Sequence, residues 1–369
     1  MDSVKPPIYV TKPFLPELSE LIPYLKQIWA SRNLTNSGPY HQEFEQELAR
    51  YLGVQHVSVC ANATLALLIA LQALRIDGEV ITTPFSFVAT SHTLIWNRAR
   101  PVFVDIDPHT LNLDPEKIEE AITPETTAIL PVHVYGTPCN VDRIAEIAAQ
   151  RNLKVIYDAA HAFGVKYCDR NIVAYGDLSI LSFHATKVFN TFEGGAIISG
   201  SPEMKLHIDH LKNFGFVDEV TVIEAGINGK MNEFQAALGL LQLQHIGDAI
   251  AHRKRVHDHY RRILNNCTGI SMLKPLPSVE NNYSYFPIFV NESYRLSRDE
   301  LYSRLRDNGI FARRYFYPLI SDFPMYRHLP SSARTNLKVA HHTASQVLCL
   351  PISSMLTEQD VDRICDLIV

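Results

Sequence analysis

From residue 56 to residue 199 the sequence alternates short apolar runs with helical stretches, and that alternation leaves few architectures open. The runs are His56-Val57-Ser58-Val59-Cys60, Glu79-Val80-Ile81-Thr82, Val102-Phe103-Val104-Asp105, Ala128-Ile129-Leu130-Pro131-Val132, Lys154-Val155-Ile156-Tyr157, Leu178-Ser179-Ile180-Leu181 and Ala196-Ile197-Ile198-Ser199. Strands that are apolar along their length are buried on both faces. Helical patterns over 65–74, 87–96, 115–122 and 142–151 separate the first five. Asp114 stands as N-cap and Pro115 as first helical residue of the third pattern. The expected fold is α/β, with a large, mostly parallel sheet covered by helices. Ligands in such sheets lie at the carboxyl ends of the strands. Residues 61–64, 85–87 and Asp158 fall at such ends.

The flanking segments complete the outline. The chain is expected to start extended and to form a helix over 18–31. A turn at Asn36-Ser37-Gly38-Pro39 leads to a helix over 43–52, which Gly53 would cap. Beyond 199 come a helix over 202–212, a glycine-containing loop over 215–229 and a long helix over 232–265. A smaller α/β unit follows, with strands over 284–290 and 311–316, helices over 297–308 and 337–347, and a last helix from Thr357. A chain of 369 residues exceeds one simple core, so two domains are expected. We divide it into a large domain, 1–250, and a smaller C-terminal α/β domain, 251–369.

Composition excludes several classes. The net charge is −5 and no long basic run occurs, so neither nucleic acid nor a membrane is an expected partner. Arg253-Lys254-Arg255 reads as a solvated helix face. The longest apolar stretch, over 65–74, is broken by Gln72 and too short to span a bilayer. The start shows no apolar signal segment. Six scattered cysteines without a Cys-x-x-Cys pair read as reduced thiols of a cytoplasmic protein, forming neither a disulfide frame nor a metal site.

The chemistry centres on Ser182-Phe183-His184-Ala185-Thr186-Lys187-Val188-Phe189-Asn190, closed by Glu193-Gly194-Gly195. This loop joins two expected core strands. A lysine there is either solvated and idle or a nucleophile that condenses with a carbonyl once its pKa is depressed. Asp158, at the end of another expected core strand, needs a cationic partner. That partner is either Lys187 or the protonated ring nitrogen of pyridoxal phosphate. Ala61-Asn62-Ala63-Thr64 joins a strand to a helix. It is an ordinary capped start, with Asn62 or Thr64 as the cap, or a phosphate cradle. A lysine, an acid, a phosphate cradle and an aromatic are the parts such a cofactor requires.

Several runs together resemble the DegT family of nucleotide-sugar aminotransferases. They are Thr83-Pro84-Phe85-Ser86-Phe87-Val88-Ala89-Thr90, Pro101-Val102-Phe103-Val104-Asp105-Ile106, Val132-His133-Val134-Tyr135-Gly136, Asp158-Ala159-Ala160-His161-Ala162, the lysine loop, Gly226-Ile227-Asn228-Gly229-Lys230-Met231-Asn232-Glu233 and Leu348-Cys349-Leu350-Pro351. The matches keep their order over nearly the whole chain. The resemblance implies the pyridoxal-phosphate-dependent aspartate-aminotransferase-like fold (fold type I) and a homodimer with shared active sites. It implies that Lys187 binds the cofactor covalently and shuttles protons, and that Asp158 pairs with the ring nitrogen. Ala63, Thr64 and Ser182 would hold the phosphate, joined by Asn228 from the neighbouring subunit. Phe87 would stack on the ring. His161 would lie by the ring hydroxyl, where many relatives carry glutamine. Taken singly, Phe87 also reads as core, Asn228 as a turn residue and His161 as a buried structural histidine.

The implied reaction moves an amino group from a donor, glutamate, to a nucleotide-linked keto sugar. Leu34-Thr35-Asn36-Ser37-Gly38-Pro39 and Leu113-Asp114-Pro115 look most like members that aminate a dTDP-linked 4-keto-6-deoxyhexose, giving a dTDP-4-amino-4,6-dideoxyhexose for polysaccharide or O-antigen assembly. The alternatives are a 3-keto sugar and a non-catalytic relative that binds cofactor or sugar nucleotide as a sensor. A third is a scaffold without cofactor. His184, Arg314 and Tyr317, with Arg313 and Tyr315, are candidates for contacts to substrate or donor.

Overall fold

The structure is a computed structural model and describes residues 6–369; the part of the expected extended start at 1–5 lies outside the described residues. Seven strands form the central sheet: β1 (His56–Cys60), β2 (Glu79–Thr82), β3 (Arg100–Phe103), β4 (Thr126–Leu130), β5 (Lys154–Asp158), β6 (Leu178–Ser182) and β7 (Gly195–Ser199), in the order β1-β7-β6-β5-β4-β2-β3. β7 runs antiparallel to both neighbours, and the other pairings are parallel. Val59, Val80, Ile81, Ile156, Ile180 and Ile197 are fully or almost fully buried, as strands covered on both faces require. β3 and β4 begin and end about two residues before the expected runs. Asp105 has left the sheet, and its carboxylate accepts the N–H groups of Val339 and Ala340 at 3.0 and 2.8 Å.

Helices cover the sheet: α1 (Leu18–Ser31), α2 (Pro39–Leu52), α3 (Ala63–Ala73), α4 (Ala89–Trp96), α5 (Val141–Arg151), α6 (Pro202–Leu211) and α7 (Glu233–Leu264). α2 starts at Pro39, not at residue 43. The carboxylate of Glu233 accepts the first-turn N–H groups of Tyr40 and His41 at 2.9 and 2.8 Å, so the expected turn becomes a helix start. A Cβ on Gly38 would lie 2.6 Å from the Glu233 side chain, which makes glycine necessary there. Among the described residues no helix is long and apolar enough to cross a membrane.

The C-terminal part holds an antiparallel sheet, β8 (Ile270–Met272), β9 (Phe286–Val290) and β10 (Val347–Leu350), in that order. Helices α8 (Arg298–Asp307), α9 (Lys338–Gln346) and α10 (Glu358–Cys365) surround it. The strand expected over 311–316 does not form. Ile310–Phe311 pairs in parallel with Ile8–Tyr9, and Arg313 makes a single antiparallel bridge to Cys349. Phe316 turns inward onto Phe85 and Tyr135, with ring centroids 5.7 and 6.0 Å away, and leaves no ladder to continue.

α7 is continuous through residue 250, where we had divided the chain. Its first half packs Gly239 against Phe44, with no room for a Cβ. Its second half puts Val256, Tyr260 and Leu264 into the core of the small sheet. Residues 316–349 share a core with Phe85, Phe103 and Tyr135 of the large sheet's carboxyl edge.

Candidate active site

A cavity of ≈ 270 Å³ opens at the carboxyl ends of β1, β5 and β6. Lys187, Asp158, Ala63, Thr64, Ser182, His161, Phe87 and His184 all line it, from four separate stretches of sequence.

The loop after β6 presents Lys187, which is half-buried. Burial lowers its amine to about 8, with Asp158 opposing. A lysine in that state is partly neutral near pH 7.5 and can act as a nucleophile. Its Nζ lies 3.4 Å from the hydroxyl of Tyr285. Asp158 closes β5. Thr90 Oγ1 donates to its Oδ2 at 2.8 Å, and the Ala160 N–H to its Oδ1 at 3.1 Å. Burial pushes its carboxyl above the usual range against those two bonds and the charge of Lys187. Among the described residues the Asp158 carboxylate forms no ion pair within 4 Å, and its two hydrogen bonds leave capacity for a cationic ring nitrogen.

His161 is buried. Its Nδ1 accepts from the Tyr135 N–H at 3.2 Å, which leaves the proton on Nε2. Burial, then the charge of Lys187, hold the ring well below its ordinary pKa. It is therefore a neutral donor, as a glutamine amide would be.

Asn62, and not Thr64, caps α3: its Oδ1 accepts from the Leu65 N–H at 2.9 Å. The N–H groups of Ala63 and Thr64 precede the first intrahelical donor, Ala66, and face the cavity with the positive end of the helix. Gly195 permits this approach, since a Cβ there would sit 2.7 Å from Ala63 N. Ser182 brings a hydroxyl to the same end. Phe87 is 59% exposed, so it is a wall of the cavity and not part of the core.

Three expected residues lie elsewhere. Asn228 is exposed, in the segment bridged to Asn213, outside this cavity. Arg314 donates to Asp299 at 2.8 Å and stacks over Tyr302, while Tyr317 lies under Arg298, so both belong to a cluster of the C-terminal part, away from the cavity. Their neighbours Tyr315 and Phe316 reach the cavity instead. Thr90, Glu193 and Tyr285 also line it and were not singled out from sequence. The only sequence signal for Tyr285 is the aromatic run Tyr283-Ser284-Tyr285-Phe286.

An amine of lowered pKa, a buried carboxylate without a cation, an anion-ready helix end and an exposed aromatic face fit pyridoxal phosphate part by part. Fold and site thus define a pyridoxal-phosphate-dependent enzyme of the aspartate-aminotransferase type. The chain belongs to the DegT/DnrJ/EryC1/StrS aminotransferase family, whose sequence model matches residues 17–369. It is 53% identical over 358 residues to a dTDP-4-amino-4,6-dideoxy-D-glucose transaminase of Shigella dysenteriae, covering 97% of each chain. DesI, solved in the presence of its TDP-sugar product, superposes with a TM-score of 0.93 at 35% identity, over 98% of this chain and 92% of that one. NtdA of Bacillus subtilis, solved with bound cofactor PMP, gives 0.87 at 30% identity, over 97% and 84%.

Proposed function

We propose that the protein transfers an amino group from L-glutamate to the 4-keto carbon of a dTDP-linked 4-keto-6-deoxyhexose, giving a dTDP-4-amino-4,6-dideoxyhexose. The observation that carries this reading is the 53% identity, along 97% of both chains, to a transaminase named for that product. Assembly of a surface polysaccharide or O-antigen in the cytoplasm would be its setting, which the scattered, unpaired thiols support.

When bound, pyridoxal phosphate supplies an aldehyde for the lysine and an electron-withdrawing ring beside the carbon that gains or loses a proton. Around it, the Ala63 and Thr64 N–H groups and the Ser182 hydroxyl would bind the phosphate. Asp158 would keep a proton on the ring nitrogen, and Thr90 and the Ala160 N–H fix its carboxylate for that task. Phe87 would cover the ring. His161 Nε2 would donate to the ring oxygen. Lys187 Nζ would serve as the base and acid for the proton shifts. His184 stands at the mouth for substrate. A second copy of the chain would bring Asn228 to the phosphate. The exposed Val217, Val220, Val222 and Ile223 of the same segment favour such a covered homodimer face. The small domain would begin within α7.

The test is an absorption spectrum of the purified protein with pyridoxal phosphate, before and after glutamate, followed by mass spectrometry of keto-sugar nucleotides incubated with it. Conversion of the visible band by glutamate and a 4-amino dTDP-sugar product are expected. A colourless protein would overturn the reading. A bound chromophore that no amino donor converts would favour a sensor instead.

A further inference from the structure

Tyr285 sits at the start of β9, in the C-terminal half of the sequence, yet it is bolted to the large domain. Asn282 Nδ2 donates to the carbonyls of His161 and Phe163, each at 2.9 Å. Ser284 Oγ donates to the His161 carbonyl at 2.6 Å. The strap 282–285 is therefore pinned to the turn that follows Asp158. The Tyr285 ring is boxed by His161, Tyr135 and Tyr315, with centroids at 4.8, 5.3 and 5.9 Å. Its hydroxyl has one place to go. Among the described residues it is the only side-chain group within hydrogen-bonding distance of Lys187 Nζ, and it makes no other side-chain bond.

We propose that Tyr285 is a positioning residue for Lys187: its hydroxyl holds Nζ on the β9 side of the cavity and keeps it from closing onto Asp158 as an ion pair. The inference rests on the reading of Lys187 as the reacting amine. A lysine with one nearby carboxylate would ordinarily move onto it, become a fixed ammonium and lose its nucleophilicity. A neutral hydroxyl offers a competing partner. Burial raises the Tyr285 phenol above its ordinary pKa, so it stays protonated wherever the enzyme works. In the structure Nζ donates to the hydroxyl oxygen, and when the amine is neutral the O–H can donate to its lone pair instead, so the contact survives loss of the proton.

The groups facing Lys187 are few. Asp158 and His161 come from the segment after β5, and His184 and Glu193 lie around the mouth. Behind Tyr285, Arg253 of α7 donates to the carbonyls of Tyr283 and Ser284, at 3.3 and 3.5 Å, and holds the strap from the other side. His161 stays neutral. Asp158 is thus the anion whose approach Tyr285 has to prevent.

The experiment follows carbamylation of Lys187 by cyanate in the full-length, cofactor-free protein between pH 6 and 10, read by peptide mass spectrometry. The rate divided by the cyanic acid concentration at each pH reports the neutral amine, and its midpoint in the parent is expected near 8. Tyr285→Phe keeps the ring and should move the midpoint up by about one pH unit, lowering the rate at pH 7 about tenfold. Tyr285→Phe combined with Asp158→Asn should return the midpoint to the parent value or below. An unmoved midpoint in Tyr285→Phe, or an equal rise in the double variant, would overturn the proposal. Should the Phe variant fold poorly, 3,5-difluorotyrosine at 285 strengthens the donor without changing shape. It should lower the midpoint, and an unchanged midpoint would be equally fatal. No cofactor or sugar enters the assay, so its failure and that of the aminotransferase reading are told apart.

Discussion

Lys187 and Lys212 are both drawn in beside the central sheet, and their chemistry is opposite. Lys212 is 2% exposed at the end of α6. Its Nζ lies 3.0 Å from Glu45, 2.9 Å from Asp209 and 3.3 Å from the Val59 carbonyl. Burial alone would lower its pKa, but the two carboxylates hold it above the ordinary lysine value. Lys187 is less buried, and its amine is nonetheless lowered to about 8. It faces one carboxylate, already engaged by Thr90 and the Ala160 N–H. The number of carboxylates within ion-pair distance, and not depth, decides whether a buried lysine is a strut or a reagent. The strut also serves the site. Glu45 accepts the Val59 N–H at 2.9 Å while Lys212 donates to the Val59 carbonyl, fixing β1 just before Ala63 and Thr64.

Substitution should separate the two roles. Lys187→Ala should lower amino transfer by at least about 10⁴-fold and abolish covalent cofactor attachment, with the urea midpoint unchanged or raised. Retained turnover would end its assigned role. Lys212→Met should do the reverse. It strands Glu45 and Asp209, a loss of about 3 kcal/mol in urea denaturation, at the lower end for a broken buried pair. The lower end is expected because Lys205 remains 2.8 Å from both carboxylates. The folded fraction should still take up cofactor.

A finer separation comes from Asp158→Asn. The amide keeps an acceptor for Thr90 and the shape of the site. Stability should change by less than about 1 kcal/mol, while amino transfer falls about 10²–10³-fold. Equal damage to stability and rate would make Asp158 the structural partner of Lys187 and bring the pair closer to the Lys212 cluster.

The same contrast explains what could be read from sequence. β1, α3 and the lysine loop are local signals: apolar runs, an Asn cap, glycines beside a core strand. These were legible, and so was the gathering of Lys187, Asp158, Ala63, Thr64 and Ser182, because strand ends in one parallel sheet share an edge. What failed depended on distant partners. The start of α2 at Pro39 requires Glu233, remote in sequence. The missing strand over 311–316 reflects Phe316 seeking Phe85 and Tyr135. Arg314 looked available because Asp299 could not be seen opposite it. Tyr285 was invisible for the same reason, since the strap that aims it is tied to carbonyls at 161 and 163.

The sharpest test of the comparison is one of sign. The ordinary lysine value is 10.5, and Lys187 in the folded protein sits near 8. Between those values the unfolded chain binds the proton that the native one has released. The stability contributed by Lys187 therefore rises with pH across that window, by no more than about 1.4 kcal/mol per unit. Lys212 is displaced the other way. Its stabilisation is complete below the unfolded value and is lost as pH climbs above it toward the folded one. Urea denaturation of the cofactor-free protein from pH 7 to 11, each variant subtracted from the parent, isolates the two terms. The Lys187→Met difference should climb from pH 8 to about 10.5, whereas the Lys212→Met difference should stay flat over that range and then fall. Slopes of the same sign would mean that burial sets both lysines alike, and that the two carboxylates beside Lys212 do not distinguish it from Lys187.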